Sequence, residues 1–170
     1  RMKVYSSTKF TIPLPKSHRF PIEKYRLLED RIRKLDQITI VNAEIISQAD
    51  LYLAHDKNYV ESVSNGQLSK REERALGFPW SRELIMRTFY SMGASVSAAK
   101  TALREGVSCS LAGGTHHAFY SSGNGFCVFN DAAIISKKIL ELNSGGSVLI
   151  IDTDVHQGDG TASILKKNKN

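Results

Sequence analysis

Carboxylates and an imidazole alternate in the stretch DTDVHQGDG, residues 152–160, which directly follows the apolar run VLII. Side chains two residues apart on an extended segment point the same way, so Asp152, Asp154 and His156 form one row. Two carboxylates this close at a buried strand end cost free energy unless a cation or hydrogen bonds offset their charge. Carboxylate oxygen and imidazole nitrogen suit zinc, iron or manganese. The pattern D-x-D-x-H followed by G-D-G favours a metal site over Asp152 capping a turn and a surface His156.

Two adjacent histidines form a second group, in the stretch GGTHHAF. Histidine is the side chain best suited to act as a general base or acid near neutral pH, and His116 and His117 are candidates. Asp152 and Asp159 are the available orienting partners, because a carboxylate behind an imidazole fixes its tautomer and raises its basicity. The alternative is that one histidine of the pair is a core residue with a satisfied hydrogen bond.

A third group, SSGNGFCVFND, offers a flexible turn and an aromatic ring. Phe126, after Gly125, is suited either to line a ligand slot or to fill the core. Cys127 has no neighbouring group that marks it as a nucleophile. His18 and His55 lie in or beside predicted helices, and we expect them to be structural or exposed.

Apolar periodicity and turn residues predict the elements that carry these groups. Helices are predicted over residues 17–35, with Pro21 in the first turn, and over 47–55, 57–65, 81–106 and 131–142; strands over 2–6, 107–111 and 147–152; loops over 66–77 and 112–127. The apolar segment 147–152 is typical of a parallel strand covered on both faces. This order predicts an α/β fold with a mostly parallel sheet, in which ligands bind beyond the carboxyl ends of the strands.

The bulk composition excludes several function classes. The 170 residues are 41% hydrophobic and 24% charged, as expected for one globular domain. No apolar run approaches the roughly 20 residues of a membrane span, so no membrane partner is expected. The net charge of +6 is scattered, and the mixed run KREER is interpreted as a solvated face, so nucleic-acid binding is not expected. Two cysteines without a framework favour a reducing, cytoplasmic setting.

The paired motifs GGTHHAFYSSGNGFCVFNDAA and VLIIDTDVHQGDGTA resemble the zinc-dependent histone deacetylase superfamily, including its bacterial and class IV-like branch and the acetylpolyamine amidohydrolases. The segment LPKSHRFPIEKYRLL extends the resemblance over essentially the whole chain. It implies the arginase/deacetylase-type fold, a mostly parallel sheet flanked by helices. It also implies that residues 1–170 are the N-terminal part of a single deacetylase domain, incomplete at the C-terminus.

The resemblance assigns roles to the metal and channel residues. Asp154 and His156 would be two zinc ligands, and zinc would polarise the carbonyl of an acetylated lysine or amine. Gly125 and Phe126 would form one wall of a narrow acyl-lysine channel. A potassium ion often accompanies the zinc in this family, and here it would use Asp152 with backbone carbonyls around Asp154 and His156.

The resemblance also assigns the proton-transfer groups. His117 would be the general base toward the attacking water, and His116 the second histidine, near the leaving nitrogen. Asp152 would hydrogen-bond His116, and Asp159 would hydrogen-bond His117. Hydrolysis would release acetate and a free amine.

Two departures from the family pattern affect these expectations. The third zinc ligand, an aspartate, and the oxyanion-stabilising tyrosine or histidine are not found after Gly160, where the sequence reads TASILKKNKN. Catalytic zinc usually has three protein ligands, so we expect this chain alone to bind zinc weakly or not at all and to be inactive. The segment LGFPWS also lacks the acidic residue that lysine-selective members often carry at the channel rim.

Two other functions remain open. An arginase-like binuclear manganese hydrolase shares the fold, although its metal strand usually reads D-x-H-x-D rather than D-x-D-x-H. A non-catalytic short form that assembles with another chain is the second alternative. A sheet cut after its metal strand would leave uncovered apolar surface, so we expect self-association or a complementing chain.

Overall fold

The computed structural model describes residues 1–166, which contain three strands and seven helices. The strands are β1 (Met2–Ser6), β2 (Ile38–Asn42) and β3 (Ser108–Ser110); the helices are α1 (Lys24–Ile32), α2 (Gln48–Tyr52), α3 (Lys57–Ser64), α4 (Lys70–Leu76), α5 (Arg82–Glu105), α6 (Asp131–Leu142) and α7 (Asp159–Leu165). The chain divides into two compact units. The first unit comprises Arg1–Ile46 and Ser81–Gly113, and the second comprises Ser47–Trp80 and Gly114–Asn170.

The first unit is built on a parallel sheet with the strand order β2-β1-β3. Val4, at the centre of β1, pairs with Ile40 on one side and Cys109 on the other, and its side chain is 1% exposed. Helix α5 packs against β1 and β3. The predicted α/β class with parallel strands is therefore confirmed.

Helix α5 begins and ends as its sequence predicts. The Ser81 hydroxyl accepts a hydrogen bond from the Leu84 N–H, and Gly106 ends the helix with φ of 90°. Ile85, Met92 and Val96, whose spacing places them on one face of the helix, are buried, whereas Leu103 near the end is 47% exposed.

Gly93 allows a close backbone approach to α5. A Cβ at this position would lie 1.8 Å from the Glu44 carbonyl oxygen, so any larger residue would force the two segments apart.

Helix α1 is shorter than predicted, because it begins at Lys24 and ends at Ile32 rather than covering residues 17–35. Pro21 consequently lies before the helix. The preceding residues form turns instead, in which the His18 N–H donates to the Pro15 carbonyl and the His18 ring accepts from the Phe20 N–H. A side chain that takes a backbone N–H in this way competes with helix formation.

The prediction of a loop over residues 66–77 is wrong, because helix α4 occupies most of it. Ser69 and Glu72 form a capping box, in which each side chain accepts a hydrogen bond from the backbone N–H of the other residue. Gly77 ends the helix in the left-handed region, with φ of 84°. The charged run KREER therefore lies on a short, largely solvent-facing helix.

The predicted strand over residues 147–152 is not a strand in the structure. Leu149 and Ile151 are 84% and 78% exposed, where burial on both faces was expected. A strand forms by pairing its backbone N–H and C=O groups, and within residues 1–166 no strand pairs with this segment. Helix α7 follows it, in a stretch for which no element was predicted.

The core of the second unit gathers aliphatic and aromatic side chains from α2, α3 and α6 and from the segment before α6. Leu51, Val60 and Phe129 are each fully buried, and Ile134 is 1% exposed. Across residues 1–166, the helices are all too short or too polar to traverse a lipid bilayer.

Candidate functional site

The two adjacent histidines each contact a carboxylate. The Nδ1 atom of His116 lies 2.7 Å from Asp152 Oδ2, and the Nδ1 atom of His117 lies 3.1 Å from Asp159 Oδ1. The hydrogen bond from His116, helped by the Asp154 N–H, lowers the pKa of Asp152. The hydrogen bond from His117 likewise lowers the pKa of Asp159.

These contacts fix which ring nitrogen can accept a proton. An ionised carboxylate only accepts hydrogen bonds, so each Nδ1 carries a proton and donates it. The Nε2 atom of each neutral ring then holds the free lone pair. The two rings lie side by side, with centroids 4.2 Å apart, and His116 is 6% exposed. The arrangement provides two oriented imidazoles that can each receive a proton at Nε2.

Asp131, the first residue of α6, holds the loop that carries the histidines. Its carboxylate accepts hydrogen bonds from the Gly114 and Thr115 N–H groups, both at 3.0 Å, and from the Thr115 hydroxyl at 2.8 Å. Gly114 adopts a φ of 72°, which suits glycine at this turn. Sequence reasoning did not single out Asp131, because an acidic residue in the first helical turn is ordinary on a solvent-exposed helix.

Asn130 joins three segments around the site. It is fully buried and caps α6 by accepting from the Ala133 N–H. Its amide nitrogen donates to the Ala118 carbonyl and to the Thr161 hydroxyl, each at 3.0 Å. The Thr161 N–H in turn donates to the His116 carbonyl at 3.1 Å. Asn130 therefore links the histidine loop, α6 and α7, the helix that begins with Asp159.

His55 is buried rather than exposed, at 1% exposure, and supports the same segment. Its Nε2 accepts from the Asn130 N–H at 2.9 Å, so its Nδ1 carries the proton and donates to the Phe119 carbonyl at 3.0 Å. Burial lowers the pKa of His55 to about 4, and hydrogen bonds to the Tyr120 and Phe119 carbonyls offset only part of this effect. His55 is thus a neutral structural histidine, one of the two roles expected for it.

Asp154 and His156 lie next to each other on the exposed side of the site. Their Oδ1 and Nδ1 atoms are 2.9 Å apart, and the same oxygen accepts from the His156 N–H at 2.8 Å. The His156 N–H, followed by its ring, lowers the pKa of Asp154. The His156 ring lies 6.1 Å from that of His117. Within residues 1–166, however, no group of three or more such side chains could hold a metal.

Gly125 and Phe126 are held by the end of α4. The Gly125 N–H donates to the Ala75 carbonyl and the Phe126 N–H to the Leu76 carbonyl, so both residues satisfy carbonyls of the last helical turn. Phe126 has a positive φ of 67°, which is rare for an aromatic residue, and lies half-buried. Because Gly125 has no side chain, it can lie beside the His117 ring, where a Cβ would come within 3.0 Å.

Cys127 follows directly and is buried. Burial raises the pKa of its thiol to about 11. Such a thiol stays protonated near neutral pH and is a poor nucleophile, in keeping with the absence of a predicted thiol mechanism.

An open cleft lies beside His116. Its volume is about 440 Å³, and its lining includes His116, Asp131, Asp152 and Asp154. The cleft brings together the carboxylates of the two sequence motifs within the second unit.

The chain matches the family model described as histone deacetylase domain over residues 18–170. It therefore belongs to the histone deacetylase family, a class that the parallel α/β fold and the two histidine–carboxylate pairs had indicated.

Individual relatives agree with this assignment. The chain is 40% identical over 162 residues to an uncharacterized protein of Picosynechococcus, covering 92% of this chain and 53% of that protein. It is 28% identical over 171 residues to the acetoin utilization protein AcuC of Staphylococcus xylosus, covering 93% and 44%. The chain thus spans about half the length of the curated relatives that it matches.

A solved structure supports the fold. The HDAC homolog from Aquifex aeolicus superposes with a TM-score of 0.76 at 22% identity, covering 95% of this chain and 47% of that chain. At this identity the likeness concerns the fold alone.

Proposed function

We propose that the chain carries one part of a zinc-dependent hydrolase site that cleaves an acyl-amide, an acetyl-lysine or an acetylated amine. The observation that carries the proposal is the pair of adjacent histidines whose Nδ1 atoms contact Asp152 and Asp159 at 2.7 and 3.1 Å. Membership of the histone deacetylase family supports the same reaction class.

Asp154 and His156 are the residues proposed to hold the zinc. A carboxylate oxygen and an imidazole nitrogen are ordinary zinc donors, and these two atoms lie 2.9 Å apart, so both would be available to one ion. When bound, zinc supplies Lewis-acid polarisation of the acyl carbonyl. The donor set thus fits the metal, with a third protein donor still required.

His117 is proposed to act as the general base. Its Nε2 takes a proton from the attacking water while Asp159, hydrogen-bonded to Nδ1, stabilises the resulting imidazolium. Water oxygen bonds to the carbonyl carbon, and the carbon–nitrogen bond then breaks. His116, oriented by Asp152, lies beside the base and is placed to act at the leaving nitrogen, which must gain a proton. The products are a carboxylic acid and a free amine.

Gly125 and Phe126 are proposed to form one wall of the substrate channel. Support comes from the contact of Gly125 with the His117 ring and from the fixed backbone at Phe126. The rim segment, residues 76–81, contains no carboxylate that could bind a peptide backbone. An acylated small amine is therefore as suitable a substrate as an acetylated protein.

We also propose that Asp152 and nearby backbone carbonyls bind a potassium ion. A reducing, cytoplasmic location is a further part of the proposal. The location is supported by Cys109 and Cys127, which are both free thiols.

The exposed apolar segment after α6 supports a protein partner, either a second copy or a complementing polypeptide. Leu149, Ile151 and Val155 are 84%, 78% and 93% exposed, and large aliphatic side chains in one such stretch favour association. A non-catalytic form acting through such assembly remains the second candidate function. The pattern D-x-D-x-H continues to disfavour an arginase-like manganese site.

The proposal is tested on the protein expressed from its complete coding sequence. Acetyl-lysine peptides and acetylated polyamines are offered, and acetate release is measured. Activity should disappear after chelation and return with zinc. Activity that survives full removal of zinc, or that returns with manganese alone, would refute the zinc assignment.

Zinc binding by the 170-residue chain provides a readout that does not depend on activity. Because the described residues supply only two donors, calorimetry should detect weak binding or none. Asp154→Asn should abolish any residual binding, with Asp36→Asn as the control for loss of an exposed carboxylate elsewhere. Tight stoichiometric zinc would show that this donor count is wrong.

A further inference from the structure

A buried arginine in the first unit lacks a carboxylate partner. Arg87, on α5, is only 9% exposed, yet its guanidinium forms no ion pair or hydrogen bond among residues 1–166. The nearby buried carboxylate does not serve it, because Glu29 is bound by Arg33, Ser6 and Thr8. Buried charges are normally paired, so the free guanidinium requires another explanation.

Two aromatic rings pack against the guanidinium of Arg87. The Cζ atom of Arg87 lies 4.3 Å from the centroid of the Tyr25 ring and 5.9 Å from that of Phe20. Cation–π contacts of this kind stabilise the charge but leave the N–H groups at the guanidinium edge without acceptors. The arginine is therefore fixed in place while its hydrogen-bonding capacity remains open.

Arg87 lines a cavity of about 170 Å³, together with Tyr25 and three hydroxyl residues, Ser7, Thr8 and Thr11. Ser7 is 3% exposed, and its hydroxyl also makes no hydrogen bond among the described residues. No fully buried side-chain nitrogen or oxygen lacks a partner in residues 1–166. The unpaired polar atoms of Arg87 and Ser7 therefore keep some accessible surface, and both residues line the cavity.

The Glu23 carboxylate, which lines this cavity, already has a cationic partner. Glu23 is paired with Arg26 at 3.0 Å, and Arg26 bridges to Asp30 at 3.0 Å. Neither acidic side chain bonds to Arg87. The cavity thus combines the positive charge of Arg87, which has no carboxylate partner among residues 1–166, with the buried hydroxyl of Ser7, and this combination is suited to an anion.

We propose that this cavity binds a small oxyanion, a phosphate or a carboxylate, through Arg87 and Ser7. The planar guanidinium fork matches two oxygens of either group, and the Ser7 hydroxyl can donate to a third contact. All the residues involved belong to the first unit, so the inference does not depend on the proposed hydrolase site.

The test compares thermal unfolding of the full chain in sodium chloride, sodium phosphate and sodium acetate at equal ionic strength and pH, with calorimetry to obtain each Kd. A ligand that binds only the folded protein raises Tm, so phosphate, acetate or both should raise it relative to chloride. The phosphate and acetate arms distinguish the two oxyanions. Arg87→Gln should remove the shift, whereas Arg82→Gln, an exposed arginine on the same helix, should keep it.

A second variant covers the case in which Arg87→Gln does not fold. Ser7→Ala removes one donor to a charged ligand and should weaken binding about tenfold. Equal Tm in all three salts would overturn the proposal. It would also be overturned by unchanged affinity in Arg87→Gln, or, if that variant is unfolded, by unchanged affinity in Ser7→Ala.

Discussion

At the residue scale, the histidine–carboxylate pairs define what the site can do with a proton. Asp152 and Asp159 each accept from an Nδ1 atom, which leaves both Nε2 atoms as proton acceptors. A third histidine of the second unit, the buried His55, shows the contrast. Both of its ring nitrogens bond to the protein, so it cannot exchange protons with a substrate. The proton transfer that we propose therefore falls to His116 and His117, whereas His55 supports the structure around them.

The protonation of His55 predicts a pH dependence of stability. Its pKa is about 4 in the folded protein, below the value of 6.5 for an unperturbed histidine, so the unfolded chain binds the proton at higher pH. The contribution of neutral, buried His55 to the free energy of unfolding is complete above pH 6.5 and is lost as pH falls toward 4. The loss amounts to about 3 kcal/mol.

Urea unfolding of wild type and His55→Gln at a series of pH values between 7 and 4 measures this effect. Every other titrating group is common to both proteins, so the difference between them isolates His55. The difference in unfolding free energy should shrink as pH falls. A difference that stays constant across this range would show that His55 is not held neutral.

At the element scale, α6 and α7 position the site through Asn130. Removing the Asn130 side chain deletes a helix cap, worth about 1 kcal/mol, and leaves buried groups on Ala118 and Thr161 unpaired, at about 1–3 kcal/mol more. Asn130→Ala should therefore lower the unfolding free energy by about 2–4 kcal/mol. Denaturant unfolding measures it, with Asn143→Ala at the exposed end of the same helix as the control. Similar losses in both variants would contradict this role of Asn130.

The extended segment after α6 predicts association. With Leu149 and Ile151 exposed, the chain should form dimers or larger species as its concentration increases in sedimentation velocity. The double variant Leu149→Lys with Ile151→Lys should shift the distribution toward monomer, whereas Leu103→Lys, an exposed leucine on α5, should leave it unchanged. A wild-type chain that is monomeric at all concentrations would refute the proposal.

The elements differ in how far their sequence determines them. Helix α6 is predicted to the residue, and α5 nearly so, because each combines apolar periodicity with a cap that its own residues supply. Helix α4 was missed since its capping box lies in a short charged run without an apolar face. The segment 147–152 was mispredicted because an apolar run indicates that burial is favourable but does not provide the neighbouring strands.

The residues of the site likewise divide into those that the sequence predicts and those that it does not. The residues of the two motifs could be named in advance, because their types and spacing suit metal binding and proton transfer. The supporting roles of Asp131, Asn130 and His55 could not be predicted from the sequence. They consist of hydrogen bonds to backbone groups that only the folded chain brings together.

At the scale of the whole molecule, the central claim is that His117 acts on protons while Asp154 and His156 hold zinc. The most direct measurement is acetate release together with zinc content for wild type and His117→Ala, both expressed from the complete coding sequence. Turnover should fall by about 10²–10⁴-fold, the usual contribution of a general base, while zinc content stays unchanged. Undiminished turnover in His117→Ala, or loss of its zinc, would contradict this account.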